Sequence, residues 1–276
     1  IFIGAAAGGV WRSSDGGVNW SSTFDKQGSL AMGAIAINQS NPQIVYVGTG
    51  ESTPHPLSMT GEGLFKSNDG GETWQQLALT QVGAFAKLYV HRQRPNIIYA
   101  ATTRSNGGFY KSADGGVTWN RTLSSDCYDL TVSPTNSDLL LVSTINSIYR
   151  SEDGGENFTR VSGTGSGFDG TNGNRISIAM SASNNNRVYA LISRMGGSQG
   201  NNLADAYTSR DGGVTWQLSK KFGEMFFRTQ GNYNNAIEVN PTNPDMAIAM
   251  GIDAWRTSDG GVSWVNTTNV YTNYPP

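Results

Sequence analysis

A chain of 276 residues with 35 glycines, 10% aromatics and only 14% charged residues has the composition of a compact, turn-rich β protein. A disordered chain would carry more charge and fewer aromatics. A formal net charge of -2 with interspersed signs offers no basic face for nucleic-acid phosphates and no polybasic run for anionic lipid. No apolar run approaches the roughly 18 residues of a membrane helix, the nearest being Leu139 to Val142, so no membrane insertion is expected.

The chain opens on Ile1, with neither a methionine nor a signal-like stretch, and reads as a processed protein or an excised fragment. Two short strands, IFIGAA from Ile1 and GVWRS from Gly9, lead into SSDGGVNW at Ser13 to Trp20. That pattern, Ser/Thr-x-Asp-Gly-Gly-x-x-aromatic, returns at Ser67 to Trp74, Ser112 to Trp119, Ser151 to Phe158, Ser209 to Trp216 and Thr257 to Trp264. The six aspartates, Asp15, Asp69, Asp114, Asp153, Asp211 and Asp259, stand 39 to 58 residues apart, as a fixed unit with variable loops requires.

From the second copy onward each box follows an apolar strand, a polar turn that often holds Asn-Pro, and another strand. These pairs run Ala34 to Gly48, Lys87 to Ala101, Leu130 to Ser143, Ile176 to Ile192 and Ile237 to Gly251. A third strand ends at the box (GLFKS, GFYKS) and a fourth starts with the aromatic (TWQQLAL). No segment has sustained helical periodicity. Four antiparallel strands per repeat make a blade that buries its faces only against neighbouring blades. The expected fold class is therefore all-β, a β-propeller of four-stranded antiparallel blades in one domain or a fragment of one.

The blades are expected at about 1–33, 34–86, 87–129, 130–175, 176–236 and 237–276. The first lacks an innermost strand. The tail VNTTNVYTNYPP must already supply the outer strand of the sixth blade, and it ends in two prolines, which suit edges rather than central strands. A ring of seven or more blades is expected, with further blades or domains of the same protein as partners.

Within the box, Asp tolerates turn geometry and binds nearby backbone N–H groups, and the Gly pair permits positive φ. The aspartate is expected to act as a staple worth about 1 kcal/mol per hydrogen bond. Burial of the terminal aromatics, Trp20, Trp74, Trp119, Phe158, Trp216 and Trp264, should contribute more, roughly 1.5–3 kcal/mol each.

These boxes resemble those of the bacterial neuraminidase repeat, or Asp-box, propellers, which include sialidases, endoglucanases such as xyloglucanases, and sortilin-type receptors. The phrases YVGTGE and GNYNNAIEVNPTNPDMAIAMGIDAWRTSDGG also resemble secreted bacterial glycosyl hydrolase-like repeat proteins. The resemblance covers essentially the whole chain and implies a secreted or cell-surface propeller. The box occurs in enzymes and receptors alike, so it does not choose an activity.

The box and the Asn-Pro turn fall at one end of each blade. The long variable segments Thr49 to Gly61, Thr102 to Gly108, Val161 to Arg175, Ser193 to Ala206 and Ser219 to Asn235 fall at the other, where binding and catalysis usually reside. These segments and the loop ends beside them hold Glu51, His55, Glu62, Arg104, Asp126, Asp129, Asp169, Arg175, Arg194, Asp205, Glu224, Arg228, Tyr233 and Asp253. Paired carboxylates there would suit glycosidic-bond hydrolysis, and Glu51 with Asp253 is the first-choice catalytic pair. Arg104, Arg175, Arg194, Arg228, Tyr233 and Trp255 are the ligand-binding candidates, with Phe226 and Phe227 as further aromatics for an open groove.

A sialidase site would need an arginine cluster, a tyrosine nucleophile with a glutamate such as Glu224 beside Tyr233, and an Arg-Ile-Pro motif, which is absent. Two histidines, His55 and His91, make a weak zinc case, and Gly165 to Asn174 reads as a flexible loop without a calcium motif. No metal and no cofactor are implied. Cys127, the single cysteine, permits no internal disulfide and is expected to be a small buried hydrophobe.

The leading functional expectation is an extracellular module that binds or adheres to a glycan or protein ligand through the long-loop ends. A glycoside hydrolase and a structural or assembly component of a larger secreted protein are the alternatives.

Overall fold

The computed structural model describes residues 1–53 and 57–268. Its strands fall into two compact units, residues 1–128 and 129–276.

In the first unit, β1 (Phe2–Ala5), β2 (Gly9–Arg12) and β3 (Ser21–Ser22) form a three-stranded antiparallel sheet. Two four-stranded sheets follow: β4 (Met32–Ile37), β5 (Val45–Thr49), β6 (Leu64–Ser67), β7 (Gln75–Gln76), then β8 (Ala84–Val90), β9 (Ile98–Thr103), β10 (Gly108–Ser112), β11 (Asn120–Leu123). The second unit holds three more: β12 (Asp129–Val132) to β15 (Thr159–Arg160) through β13 (Leu140–Ser143) and β14 (Ile148–Ser151); β16 (Gly173–Met180), β17 (Val188–Arg194), β18 (Leu203–Ser209), β19 (Gln217–Lys221); and β20 (Ala236–Val239), β21 (Ala247–Met250), β22 (Ala254–Thr257), β23 (Val265–Asn266). Every sheet is an antiparallel meander in chain order, the blade of a β-propeller. One three-residue 3-10 turn, Ser198–Gly200, is the only helical element among the described residues. No helix among them is long and apolar enough to cross a membrane.

The innermost strands start earlier than apolar alternation indicates, at Met32, Ala84 and Gly173 rather than 34, 87 and 176. The reason is local. Each carries a register shift near its start, between Met32 and Ala34, Phe85 and Lys87, and Gly173 and Arg175. A bulge inserts a residue and breaks the period of two, so alternation becomes readable only beyond it. The outermost strands begin one residue after the box aromatic rather than on it, as at Gln75 and Asn120. In the first blade β1 pairs with β2. Whether the tail beyond Thr268 also pairs with it lies outside the described residues.

The second strands β5, β9, β13 and β17 are buried along their whole length, and β5 and β17 lie in sheets that are flanked on both sides by sheets of their own unit. The apolar clusters accordingly lie between successive blades. In the first unit one gathers Tyr46, Leu64, Phe85, Ile98 and Tyr110; in the second, Leu141, Ile176, Val188, Tyr207 and Trp216 form another.

The box is the joint of this packing. Its Ser or Thr hydroxyl donates to the aspartate at 2.6–2.8 Å and accepts the amide of the second glycine at 2.7–2.9 Å in all six copies. The aspartate in turn accepts the amide of the residue four positions on, which is Asn19, Thr73, Thr118, Asn157, Thr215 or Ser263, at 2.9–3.0 Å. The side chain of that same residue closes a second bond, at 2.5–2.8 Å. The seventh box position is therefore restricted to small hydrogen-bonding residues, a constraint written in the sequence that the eight-residue pattern left as x.

The second glycine does more than supply a positive φ. At Gly71 (φ 84°) a Cβ would stand 2.4 Å from Phe2, and at Gly213 (φ 87°) 2.3 Å from Leu141, in each case a side chain of the preceding blade. Only glycine admits that approach. Polar bonds follow the same route: Tyr46 donates to the Gly115 carbonyl at 3.2 Å and Arg150 to that of Gly212 at 3.0 Å.

Candidate functional site

The loops at the end of each sheet opposite the box hold the sequence-predicted residues, and the two units place them as follows. In the first unit, Glu51 follows β5 on a loop whose backbone closes between Glu51 N and the Met59 carbonyl at 2.8 Å. Its carboxylate accepts the Met59 amide at 3.4 Å. Arg104, at φ 69°, reaches across from the β9–β10 loop and donates to the carbonyls of Ser58 (2.9 Å) and Thr53 (3.1 Å), pinning the Glu51 loop from the next blade. His55 lies outside the described residues.

In the second unit, Arg194 is buried at the end of β17. It donates to Asp205 at 2.9 Å, to the Thr171 carbonyl at 2.7 Å, to the Tyr207 hydroxyl at 2.9 Å and to the Asp169 carbonyl. Asp169 is held below the usual carboxylate range, first by the amide and hydroxyl of Thr171 and then by the Arg194 charge. Arg175 donates to the carbonyls of Asn232 (3.0 Å) and Tyr233 (3.3 Å), and Asn235 returns a bond to the Arg175 carbonyl at 3.0 Å. Arg228 sits at φ 49° with its carbonyl accepting the Asn202 amide at 2.5 Å.

Glu224 engages the 3-10 turn, accepting the Ser198 amide at 2.9 Å and bonding the Ser198 hydroxyl, and both bonds keep its pKa low. Tyr233 is 55% exposed. Asp253, in the β21–β22 loop, accepts from Asn266 at 3.0 Å and Thr268 at 2.9 Å, which ties β23 to that loop. Glu51 and Asp253 belong to different units.

The aromatic candidates separate by burial. Phe226 and Phe227 are in the core with ring centroids 4.7 Å apart, so they pack the blade rather than line a groove. Trp255 is half-buried against Phe222 at 5.4 Å, with the Lys220 ammonium 5.7 Å over its ring. Cys127 is fully buried and burial pushes its thiol far up, so it is no nucleophile. Among the described residues no three His, Cys, Asp or Glu side chains gather as a metal would need.

A concave feature lies among the described residues of each unit. In the second, a cavity of about 540 Å³ opens between Asn146, Arg160 and the glycine-rich 163–171 segment, where backbone dominates the wall. In the first, a groove of about 530 Å³ runs along β10 and β11, bounded by 78–81, Asn106, Tyr110, Trp119 and Arg121. Tyr110 and Arg121 are cross-strand partners, and Trp119, directly before β11, lines the groove with them. The guanidinium lies 6.0 Å over the Tyr110 ring, whose hydroxyl donates to the Asn106 carbonyl at 2.6 Å. Sequence reading assigned Trp119 to the box alone and passed over Gln81, Asn106, Tyr110 and Arg121. The alternation of Trp119 and Arg121 was the available signal, but nothing in sequence order brings residues 78–81 beside them.

This arrangement of box-joined blades has counterparts among known proteins. The profile of the family described as "Sortilin, neurotensin receptor 3" matches residues 8–127, and that of the BNR/Asp-box repeat matches 207–218. The chain is an Asp-box β-propeller.

Among curated proteins, it is 24% identical over 281 aligned residues to the xyloglucanase Xgh74A of Acetivibrio thermocellus, an alignment covering 94% of this chain. The Asp-box propeller spans 28% of that relative's length. Two solved structures share the fold. One is an ancestral GH74 enzyme (TM-score 0.69, 18% identity, 92% of this chain and 34% of that one). The other is the GH74 xyloglucanase from Xanthomonas campestris (TM-score 0.68, 14% identity, 96% and 43%).

Proposed function

We propose that this propeller is a binding module for neutral glycans within a secreted or cell-surface protein. The observation that carries the reading is the fate of the charged groups at the long-loop ends. Arg104, Arg175 and Arg194 each direct guanidinium N–H groups at loop carbonyls and, for Arg194, at Asp205. These arginines hold loops in place. A clamp for a charged sugar would leave such groups converging on open space, whereas neutral hydroxyls are recognised by amides, aromatic faces and single donors. The likeness to a xyloglucanase along 94% of the chain supports a carbohydrate ligand.

The test is calorimetric titration of the 276-residue chain with a xyloglucan heptasaccharide, cellohexaose and sialyllactose. Binding of a neutral oligosaccharide, insensitive to added salt, is expected. Binding of sialyllactose alone, or of none of the three, would overturn the proposal.

The same likeness to a xyloglucanase favours hydrolysis as the second reading, with Glu51 in the first unit or Asp253 in the second as candidate carboxylates. It requires release of reducing sugar from xyloglucan that Glu51→Gln or Asp253→Asn abolishes. The engagement of Asp253 with Asn266 and Thr268 argues for the binding module, because a reacting carboxylate must be open to its substrate.

A further inference from the structure

We infer that the groove along β10 and β11 is a sugar subsite, a platform for one or two neutral pyranose rings stacked on Trp119. The inference rests on the glycan-binding reading and gives it a place.

Trp119 is half-buried, packing against the core cluster of its unit while lining the groove, so its indole is fixed and needs no ordering when a ligand arrives. An aromatic face takes the C–H face of a pyranose, and polar groups at its rim then read the hydroxyls. Arg121, Gln81 and Asn106 stand at that rim. Arg121 is anchored by its bond to the Gly107 carbonyl and lies over Tyr110, yet a guanidinium carries five N–H donors, which leaves donors for a ligand. The volume, about 530 Å³, lies within the range of small-ligand pockets, about 300–1,000 Å³.

Backbone strain is a second, independent pointer. Leu79 (φ 73°) and Asn106 (φ 52°), which both line the groove, occupy the left-handed region. A leucine there is a true outlier, and such conformations persist where the surroundings over-determine them, often at ligand sites. Asn106 is held by a bond from its side-chain amide to the Gln81 carbonyl at 3.4 Å and by the Tyr110 hydroxyl on its own carbonyl. The strained segments thus form a rim of fixed shape.

The experiment titrates the xyloglucan heptasaccharide and cellohexaose into the wild-type chain and into Arg121→Ala, Gln81→Ala and Trp119→Phe, with a melting curve for each. Gln81 is exposed, so Gln81→Ala should melt like wild type, while Arg121→Ala, which gives up the bond to the Gly107 carbonyl, should melt slightly lower yet remain folded. Arg121→Ala and Gln81→Ala are each expected to bind about tenfold more weakly, the effect of deleting a ligand hydrogen bond. Trp119→Phe, which keeps a smaller aromatic face, should also bind more weakly, and the indole N–H resonance it identifies should shift in the wild-type chain on titration. Unchanged affinity in Arg121→Ala and Gln81→Ala would overturn the subsite and leave the glycan-binding reading standing. A wild-type chain that binds neither oligosaccharide would overturn both.

Discussion

The Ser67 hydroxyl donates to the Asp69 carboxylate at 2.6 Å while accepting the Gly71 amide at 2.7 Å, so one buried oxygen couples the charged tip of the box to the glycine that touches the preceding blade. Ser67 is 1% exposed, whereas Asp69 is half-buried. The more conspicuous residue of the motif is thus the less buried one.

Ser67→Ala is accordingly expected to cost more than Asp69→Asn. It strands a buried amide, a loss of roughly 1–3 kcal/mol, whereas Asp69→Asn retains an acceptor for Thr73. Urea unfolding of the two variants measures the difference; equal midpoints would refute the ranking.

Acid should weaken the fold between about pH 4 and pH 2. Asp15, Asp114, Asp153 and Asp259 are lowered from 3.8 to about 2. For Asp15 and Asp153 the amides of Asn19 and Asn157 contribute most, and for Asp114 and Asp259 the hydroxyls of Thr118 and Ser263. Because the folded values lie below the unfolded one, the stabilisation is complete above pH 3.8 and is lost as pH falls toward 2. These are solvated groups, so each contribution is modest and screened by salt. Melting temperature followed from pH 6 to pH 2 should fall in that window, and less steeply in Asp153→Asn.

The two box tryptophans in the buried core, Trp216 and Trp264, should respond differently to one substitution. Trp264 donates its indole N–H to the Ser219 hydroxyl at 2.8 Å, while that of Trp216 is buried without a hydrogen-bond partner among the described residues. Trp264→Phe should cost about 1 kcal/mol more than Trp216→Phe, since only the former loses a made bond. Trp216→Ala, which empties the space beside Phe168, should cost about 3–5 kcal/mol. Chemical denaturation of the three variants decides both points.

Arg194→Ala should destabilise the second unit by roughly 3–5 kcal/mol, because Asp205 would be left buried without its cation. A ligand-contact arginine would instead lose affinity with little change in melting temperature. Glycan titration alongside thermal melting therefore separates the two roles.

Much of the fold was legible because its determinants are local. The Gly pair, the Ser/Thr and the terminal aromatic are bound within one hairpin, so they recur in sequence as they recur in space, and the alternating pairs Ala34 to Gly48 and Ile237 to Gly251 fall on the strands β4–β5 and β20–β21 to within two residues at each end. The bulged starts at Met32, Ala84 and Gly173 were not legible, since an inserted residue erases the period that marks a strand.

For the site, sequence alone determined which residues reach the long-loop ends and that the box would not choose an activity. Tertiary structure decided what those residues do there. Arg104, Arg175 and Arg194 stand out in sequence as ligand-binding candidates because they are charged, and in the structure each also meets a carbonyl brought from a distant segment. Trp119 and Arg121 stood out little, yet the turn of chain through Leu79 and Gln81 closes a groove over them. Charge and periodicity are properties of a residue and its near neighbours. Whether a donor faces a carbonyl or an open groove depends on segments tens of residues away, and only packing sets that.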